Sequence, residues 1–320
     1  MSVRAKSAAM TYLPAEASFL DPLREDRDRP QAARAVVIPY PLEASVSYGG
    51  GTRAGPAAIL AASHQLELYD EELEREAYAD YGIAALTLPK IARTQAKALD
   101  QLAGIVGRVL GEGRFPFVLG GEHSLTAAAI RPFAERFPDL VVLQFDAHAD
   151  LRDGYLGEPF SHAAAMRRVL DQPGHEHVRL VSAGIRALSL AEAEFARANA
   201  DRITIHWAKD QARWDVERIV APLAGRPVYV TFDIDALDAA IMPATGTPSP
   251  GGMGYLQSLA ILRRAAEVGR IVGADLVEFA PIAGLHACDF TAAQLAYKML
   301  NYALSGTAPR KSGKRGRAAP

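Results

Sequence analysis

Short apolar runs alternate with longer stretches of helical period along most of this chain. Seven runs rich in Val, Ile and Leu predict strands. They are AVVIPY (35–40), FPFVLGG (115–121), LVVLQFDAH (140–148), VRLVSAG (178–184), RITIHW (202–207), PVYVTFDID (227–235) and RIVGADLVEF (270–279). These runs carry apolar residues at nearly every position, so we expect the strands to be buried on both faces.

Seven stretches with apolar residues at every third or fourth position predict helices between and around these runs. They cover 55–73, 94–113, 124–137, 162–172, 189–200, 255–269 and 291–304. Buried strands that are separated by helices are typical of a parallel sheet with helices on both sides. The pattern therefore predicts an α/β fold with a mainly parallel sheet.

The periodic pattern runs from 34 to 306 without a linker, which predicts a single domain over these residues. Residues 1–33 are polar and contain the charge run REDRDR, so we expect an N-terminal arm there. Residues 307–320 are basic and poor in apolar residues, and they predict a disordered tail. We assign no chemistry to either end.

Composition and charge exclude several classes of function. The formal net charge of −2 gives no overall positive field that would attract nucleic acid or an anionic membrane. No apolar run reaches the roughly 18 residues of a membrane span, and the N-terminus has no signal-peptide h-region, so we expect a cytoplasmic protein. The single cysteine, Cys288, rules out an intramolecular disulfide and a cysteine-rich zinc site.

Polar residues of a restricted kind follow four of the predicted strands. They are carboxylates and imidazoles, namely Glu122, His123, Asp146, His148, Asp150, Asp233, Asp235 and Glu278. Ligands of parallel sheets bind just beyond the carboxyl ends of the strands. Alternate side chains of an extended segment share a face, so each Asp-x-His-x-Asp or Asp-x-Asp set is able to converge on one point. One such aspartate alone is more often a helix cap, but the joint pattern indicates a site.

Four of these residues are aspartates, and grouping them would favour protonation unless cations neutralise their charge. With His123 and His148 added, the set is large enough for two divalent ions if one or two aspartates bridge them. Two ions about 3.5–4 Å apart activate a shared water as a nucleophile. Oxygen-rich coordination without sulfur favours Mn²⁺, while the imidazoles leave Ni²⁺, Co²⁺, Fe²⁺ or Zn²⁺ open.

The segments that carry these residues resemble the ureohydrolase family, which contains the agmatinases and arginases. The resemblance rests on GGEHS (120–124), FDAHADL (145–151), FSHAAAMRR (160–168), TFDIDALD (231–238) and VEFAP (277–281), with SYGGGTRAGPAAI (47–59) and GTPSPGG (246–252) in support. Ordered motifs at the expected strand ends make the match specific. It implies a three-layer αβα sandwich with a mainly parallel sheet of about eight strands, as in arginases and deacetylases, and a homotrimer or homohexamer.

The resemblance also implies a reaction and its cofactors. Members of the family hydrolyse a guanidino compound to urea and an amine with two Mn²⁺ ions, for which Ni²⁺ or Co²⁺ are alternatives. Carried over by motif, the ligands of one ion are His123, Asp146, Asp150 and Asp233. The ligands of the other are Asp146, His148, Asp233 and Asp235. Asp146 and Asp233 then bridge the two ions.

Three residues match catalytic positions of the family. His162 aligns with a mobile histidine that shuttles protons, and histidine suits this role because it changes its charge near neutral pH. Glu278 aligns with the glutamate that pairs with the substrate guanidinium, since a planar guanidinium and a carboxylate form a two-pronged, charge-assisted pair. Asp150 is the alternative to His162 for delivering a proton to the leaving amine.

The loop 151–161, LRDGYLGEPFS, bears on the identity of the substrate. It lacks the asparagine and the Ser-Gly-Asn segment with which arginases recognise an amino acid, and Arg152 stands at the asparagine position. It is similar to the loop of prokaryotic agmatinases, so we expect hydrolysis of agmatine to putrescine and urea.

The polar residues of this loop leave alternatives open. Asp153 or Glu158 would attract the ammonium end of agmatine. Arg152 would favour a carboxylate tail, as in 4-guanidinobutanoate or 3-guanidinopropanoate, unless it pairs with Asp153. Guanidine itself is a further alternative, and arginine is disfavoured.

Other classes of protein fit less well. Phosphoesterases with two metal ions also use an Asp-x-His pair, but they usually add a GNHE-like segment that this sequence lacks. The deacetylase relatives hold a single zinc ion with fewer carboxylates. A metal-stabilised scaffold without activity would typically have lost ligands or the shuttle histidine. We therefore expect an enzyme whose partner is a small guanidino molecule.

Overall fold

A computed structural model describes residues 10–87 and 90–305, so the predicted basic tail at 307–320 lies outside the described residues. This part of the chain contains ten strands. In chain order they are β1 (Ala35–Tyr40), β2 (Tyr69–Asp70), β3 (Arg75–Glu76), β4 (Ile83–Ala85), β5 (Phe115–Gly120), β6 (Val141–Phe145), β7 (Arg179–Ile185), β8 (Ile203–Trp207), β9 (Pro227–Asp233) and β10 (Arg270–Val277).

Eight of these strands form one sheet in which every neighbouring pair is parallel. Their order is β4-β1-β5-β10-β9-β6-β7-β8. The remaining strands, β2 and β3, form a separate antiparallel hairpin. Parallel neighbours require a long crossover connection, which the helices supply. The predicted sheet of about eight mainly parallel strands is confirmed.

Helices cover both faces of the sheet. They are α1 (Gly55–Ser63), α2 (Gln95–Gly111), α3 (Thr126–Arg136), α4 (Ala165–Asp171), α5 (Leu190–Ala198), α6 (Val216–Val220), α7 (Tyr255–Val268) and α8 (His286–Ser305). One face packs against α1, α6, α7 and α8, and the other packs against α2, α3, α4 and α5. The predicted three-layer αβα sandwich is therefore confirmed.

Successive residues of the central strands enter two different hydrophobic cores. Val37 of β1 and Val230 of β9 lie in the core with α1 and α8, whereas their neighbours Val36 and Tyr229 lie in the core with α2 and α3. Side chains alternate across a strand, so a strand between two helical layers needs apolar residues at nearly every position. This requirement explains the continuous apolar runs of the sequence.

The prediction of one helix over 55–73 is wrong beyond Ser63, where α1 ends. The following residues turn into the β2–β3 hairpin because the carboxylate of Asp70 accepts the backbone N–H groups of Glu72 and Leu73, both at 3.1 Å. Asp70 also accepts hydrogen bonds from Lys298 and Asn301 of α8. Contacts with a distant helix thus override the local helical period.

The described part of the predicted N-terminal arm packs against the domain. Phe19 and Leu20 are fully buried in the core that contains α1. The backbone N–H of Leu13 donates to the carbonyl of Ala85 in the edge strand β4. Parts of the predicted arm therefore pack against the domain, and the domain boundary at 34 stays a prediction.

Among the described residues, none of the helices combines the length and the apolar character that crossing a lipid bilayer requires.

Candidate metal centre and active site

The predicted ligands lie at the carboxyl ends of β5, β9 and β6, which are neighbours or near neighbours at the centre of the sheet. The Nδ1 atom of His123, after β5, lies 2.9 Å from an Oδ atom of Asp150, 3.1 Å from one of Asp146 and 3.4 Å from one of Asp233. The sheet thus brings together residues that are more than 100 positions apart in the chain.

A second group lies beside the first. The Nδ1 atom of His148 is 3.0 Å from Asp235 and 3.6 Å from Asp146. The ligand atoms of His123, Asp146 and Asp233 lie within 4.8 Å of one another, and so do those of Asp146, His148 and Asp235. Asp146 belongs to both groups, as the predicted bridging role requires.

Backbone hydrogen bonds turn these side chains toward one another. Asp146 accepts the N–H of His148 at 2.6 Å, and Asp233 accepts the N–H of Asp235 at 2.9 Å. Asp235 in turn accepts the N–H of Ala147 at 3.0 Å, which links the ends of β6 and β9. Asp146 and Asp233 each close a local turn, and Asp235 joins the two strand ends, so these aspartates face one space.

Two site residues adopt the left-handed backbone conformation that is unusual for residues other than glycine. The φ angle is +52° at Asp150 and +62° at Glu278. Such conformations cost about 1–3 kcal/mol and persist where the surrounding structure determines them. Both residues line the same cavity, so the surrounding structure holds two carboxylates there in a strained backbone conformation.

A buried network behind His123 determines which of its ring nitrogens faces the carboxylates. Its Nε2 atom lies 2.9 Å from the hydroxyl of Thr231, and this hydroxyl donates to Asp275 at 2.6 Å. Tyr229 and Thr126 also donate to Asp275, at 2.8 and 3.0 Å. The Thr231 oxygen therefore accepts the Nε2 proton of His123, and Nδ1 is the ring nitrogen that faces the carboxylates.

The crowded charges shift the protonation of the cluster. Burial, and then the neighbouring Asp235 and Asp146, raise the pKa of Asp233 well above its usual range. At His148 burial lowers the pKa, but hydrogen bonds with Asp146 and Asp235 outweigh burial and raise the pKa to about 12. The field of the carboxylates thus draws protons into the site.

These residues fit a pair of divalent cations. The Nδ1 atom of His123 is buried and has no hydrogen-bond donor or acceptor partner among the described residues, yet three carboxylate oxygens surround it. Cations would replace the protons that the carboxylates otherwise attract. Four carboxylates and two imidazoles without a cysteine form an oxygen-rich set that suits Mn²⁺ and related ions.

A cavity of about 470 Å³ opens above the cluster. Glu278, His162, Arg152, Tyr155 and Arg186 are among the residues that line it. Glu278 accepts the backbone N–H of His123 at 2.6 Å, and burial raises its pKa to about 8. The predicted ligands, the predicted guanidinium partner and the predicted proton shuttle therefore share one cavity.

The acidic residues of the loop 151–161 lie elsewhere. Asp153 pairs with Arg168 of α4, and neither Asp153 nor Glu158 is among the described residues that line the cavity. This arrangement does not support the expectation that one of them attracts an ammonium group, which stays a prediction. Arg152 does not pair with Asp153 either, because it lies 3.7 Å from Glu192 and stacks on the ring of Tyr155 at 4.7 Å.

Several residues of the site were not assigned a role from the sequence. Thr231 and Asp275 face each other across β9 and β10, a pairing that no local pattern reveals. Asp275 does interrupt the apolar run RIVGADLV, and this isolated charge was the available signal. Ser45 and Ser47 lie 3.3 Å from the two ring nitrogens of His162, on a loop without periodicity.

The fold and the buried ligand cluster together define a class of protein, namely αβα sandwiches that hold divalent cations at the ends of their central strands. Comparison with known proteins gives the family. The sequence profile of the arginase family matches residues 33–301. This chain belongs to the arginase family and is a hydrolase, which confirms the resemblance to the ureohydrolases.

Individual relatives agree with this assignment. The chain is 38% identical over 257 residues to an agmatinase of Bacillus cereus, and the aligned region covers 79% of this chain and 85% of that protein. It is 35% identical over 279 residues to an N(1)-aminopropylagmatine ureohydrolase of Synechocystis sp., with 84% and 89% covered. The crystal structure of the agmatine ureohydrolase of Thermoplasma volcanium has a TM-score of 0.78 at 26% identity, with 93% and 95% covered.

Proposed function

We propose that this protein hydrolyses agmatine to putrescine and urea with two divalent ions. One observation carries the proposal: the Nδ1 atom of His123 faces three buried carboxylates beneath a cavity that also contains Glu278 and His162. Membership of the arginase family and the agmatinase relatives favour this chemistry over other uses of a metal site.

The two groups of side chains share Asp146, and the family motifs add Asp150 and a second bridging role for Asp233. His123 and Asp150 would hold one ion, His148 and Asp235 would hold the other, and Asp146 and Asp233 would contribute to both. The oxygen-rich set favours Mn²⁺, with Ni²⁺ or Co²⁺ as alternatives. When bound, the two ions supply an activated water at neutral pH.

The remaining side chains orient the substrate and move protons. The carboxylate of Glu278 binds the guanidinium by a two-pronged, charge-assisted pair and directs its carbon toward the ligand cluster. Water adds to this carbon, and the bond from the carbon to the alkylated nitrogen breaks. This nitrogen leaves as an amine only if it gains a proton, which His162 or Asp150 delivers.

The cavity wall bears on the choice of substrate. Arg152 and Arg186 both line it: Arg152 faces Glu192 and Tyr155, and Arg186 donates to the carbonyls of Asp235 and Ser249, both at 2.7 Å. These contacts engage only part of each guanidinium, so they do not decide between an ammonium and a carboxylate tail. The choice of agmatine over 4-guanidinobutanoate and 3-guanidinopropanoate is supported by the agmatinase relatives.

Urea release tests the proposal. The metal-loaded protein is assayed with agmatine, N(1)-aminopropylagmatine, 4-guanidinobutanoate, 3-guanidinopropanoate, arginine and guanidine, after loading with Mn²⁺, Ni²⁺ or Co²⁺ in parallel. We expect the highest kcat/KM for agmatine with Mn²⁺. A higher kcat/KM for a guanidino acid would overturn the choice of substrate, and no urea from any compound would overturn the proposed function.

The proposal also covers the location, the metabolic role and the oligomeric state of the enzyme. We place the reaction in the cytoplasm, within polyamine metabolism, because putrescine is a polyamine. We also expect a homotrimer or homohexamer, as the resemblance to the family implies. Sedimentation of the purified protein tests this expectation.

A further inference from the structure

Glu122 is a buried carboxylate that the proposed reaction does not use. It is 1% exposed and follows β5 directly before His123. One carboxylate oxygen accepts the backbone N–H groups of Ala44 and Ser45 at 2.6 and 2.7 Å. The other accepts the hydroxyls of Ser45 and Ser124 and the side-chain amide of Gln95. Glu122 therefore fixes the segment around Ser45 on the wall of the site.

The hydroxyl of Ser45 connects this carboxylate to His162. Its oxygen lies 2.9 Å from Glu122, 3.0 Å from the backbone nitrogen of His162 and 3.3 Å from the Nδ1 atom of its ring. A hydroxyl has one proton to donate and two lone pairs that accept. The carboxylate accepts that proton, and the backbone N–H of His162 donates to one lone pair. Only a protonated Nδ1 makes the third contact favourable.

We propose that Glu122 and Ser45 are positioning residues that hold His162 as the Nδ1–H tautomer. The inference rests on the proposed function, in which His162 exchanges protons with the substrate. With the proton on Nδ1, the Nε2 atom carries the free lone pair. This atom lies 3.3 Å from the hydroxyl of the exposed loop residue Ser47, which lines the cavity.

The same carboxylate connects the two loops of the cavity entrance. Gln95 donates to Glu122 at 3.2 Å and to the carbonyl of Phe160 at 2.9 Å. Ser45 belongs to one loop and Phe160 to the other, so a single buried group ties both to the end of β5. Glu122 is linked to the ring of His162 through Ser45 and to the backbone of Phe160 through Gln95. It therefore restricts both the tautomer and the position of the His162 ring.

The substitution Ser45→Ala separates the role of the hydroxyl from that of the loop, because both backbone N–H contacts with Glu122 remain. We expect kcat for urea release to fall by about 10- to 100-fold, since one acid–base group contributes about 10²- to 10⁴-fold. The KM and the metal content should change little, because Ser45 contacts neither the ligands nor Glu278. Ser45→Thr keeps the hydroxyl and should restore most of kcat.

Ser161→Ala provides a matched control. This serine directly precedes His162, and its buried hydroxyl has no hydrogen-bond partner among the described residues. We expect kcat and KM to equal those of the unchanged protein. Equal losses in Ser45→Ala and Ser161→Ala would show that any change beside His162 is harmful, and would overturn the assignment.

The tautomer is measured directly by nitrogen NMR of ¹⁵N-histidine-labelled protein loaded with diamagnetic Zn²⁺, with the His162 signals assigned from His162→Asn. We expect a protonated Nδ1 in the unchanged protein and a shift toward protonated Nε2 in Ser45→Ala. A protonated Nε2 in the unchanged protein would overturn the inference. This measurement needs no substrate, so a protein that releases no urea fails the proposed function while the tautomer still tests Ser45.

Discussion

The floor and the rim of the cavity differ in how they are held. We define the floor as His123, Asp146, Asp150, Asp233 and Asp235, and the rim as the loops 43–51 and 151–161. Floor side chains lie at strand ends and are almost completely buried, whereas Tyr48 and Leu156 of the rim are 85% and 74% exposed. The sheet fixes the floor through several strands, while hydrogen bonds to Glu122 and from Gln95 hold the rim. The position of the predicted ligands therefore depends on the sheet, and the position of the cavity entrance depends on a few side-chain contacts.

The largest effect should follow from removing a shared ligand of the floor. Asp233→Ala takes one carboxylate from the group around His123, and by motif Asp233 would also bridge to the second ion. We expect both ions to be lost and urea release to fall to background. Metal content is measured by mass spectrometry beside the urea assay. If the variant held one ion per chain and released urea as fast as the unchanged protein, the distinction between floor and rim would be wrong.

A change of charge above the floor should have the next largest effect. Glu278→Gln keeps the size of the side chain but removes the charge that faces the guanidinium. Hydrogen bonds to charged groups contribute about 1.5–3 kcal/mol, so kcat/KM should fall by about 10- to 100-fold. Both ions should remain bound, because Glu278 belongs to neither ligand group. Loss of metal in this variant would assign Glu278 to the floor.

The support of the floor is tested by Asp275→Asn. The amide that replaces the carboxylate both donates and accepts, so it no longer requires the Thr231 hydroxyl as a donor. His123 then loses its fixed tautomer. Substitution of such a supporting group costs about 10- to 100-fold in metal affinity. We expect this loss for one of the two ions, measured by competition with a chelator. Tyr229→Phe, which removes a donor to Asp275 but leaves the contact between Asp275 and Thr231, serves as the control.

The smallest effect is expected for an acidic residue of the rim. The carboxylate of Asp153 pairs with Arg168 outside the cavity and is exposed. Exposed ion pairs contribute little, so Asp153→Asn should leave kcat/KM for agmatine within about twofold. A steady-state comparison of agmatine with 4-guanidinobutanoate checks this. A selective loss for agmatine would return Asp153 to the role that the sequence suggested.

The long strands of the sheet could be predicted from the sequence, whereas short elements and the ends of helices could not. The apolar runs identified the long strands of the sheet because burial on both faces leaves a continuous pattern, as in PVYVTFDID. The three-residue strand β4 is too short to show a period. The end of α1 at Ser63 escaped prediction because Asp70 is engaged by Lys298 and Asn301, more than 200 residues further along the chain.

The site shows the same limit. The floor was predictable because its aspartates and histidines alternate directly after apolar runs, which is a local signal. The contact between Thr231 and Asp275 was not, since it depends on β9 lying beside β10. The side chain of Asp153 points away from the cavity because it pairs with Arg168, and no local pattern predicts this pair. Loop side chains follow their nearest partner, and a sequence does not show which partner is nearest.

We expect the five floor residues, together with His148, to hold two cations. Anomalous X-ray diffraction from crystals grown with Mn²⁺ tests this expectation most directly. We predict two manganese peaks, one beside Nδ1 of His123 and one beside Nδ1 of His148, with Asp146 and Asp233 between them. A single peak, or peaks away from these residues while the carboxylates bond only to protein atoms, would contradict the account.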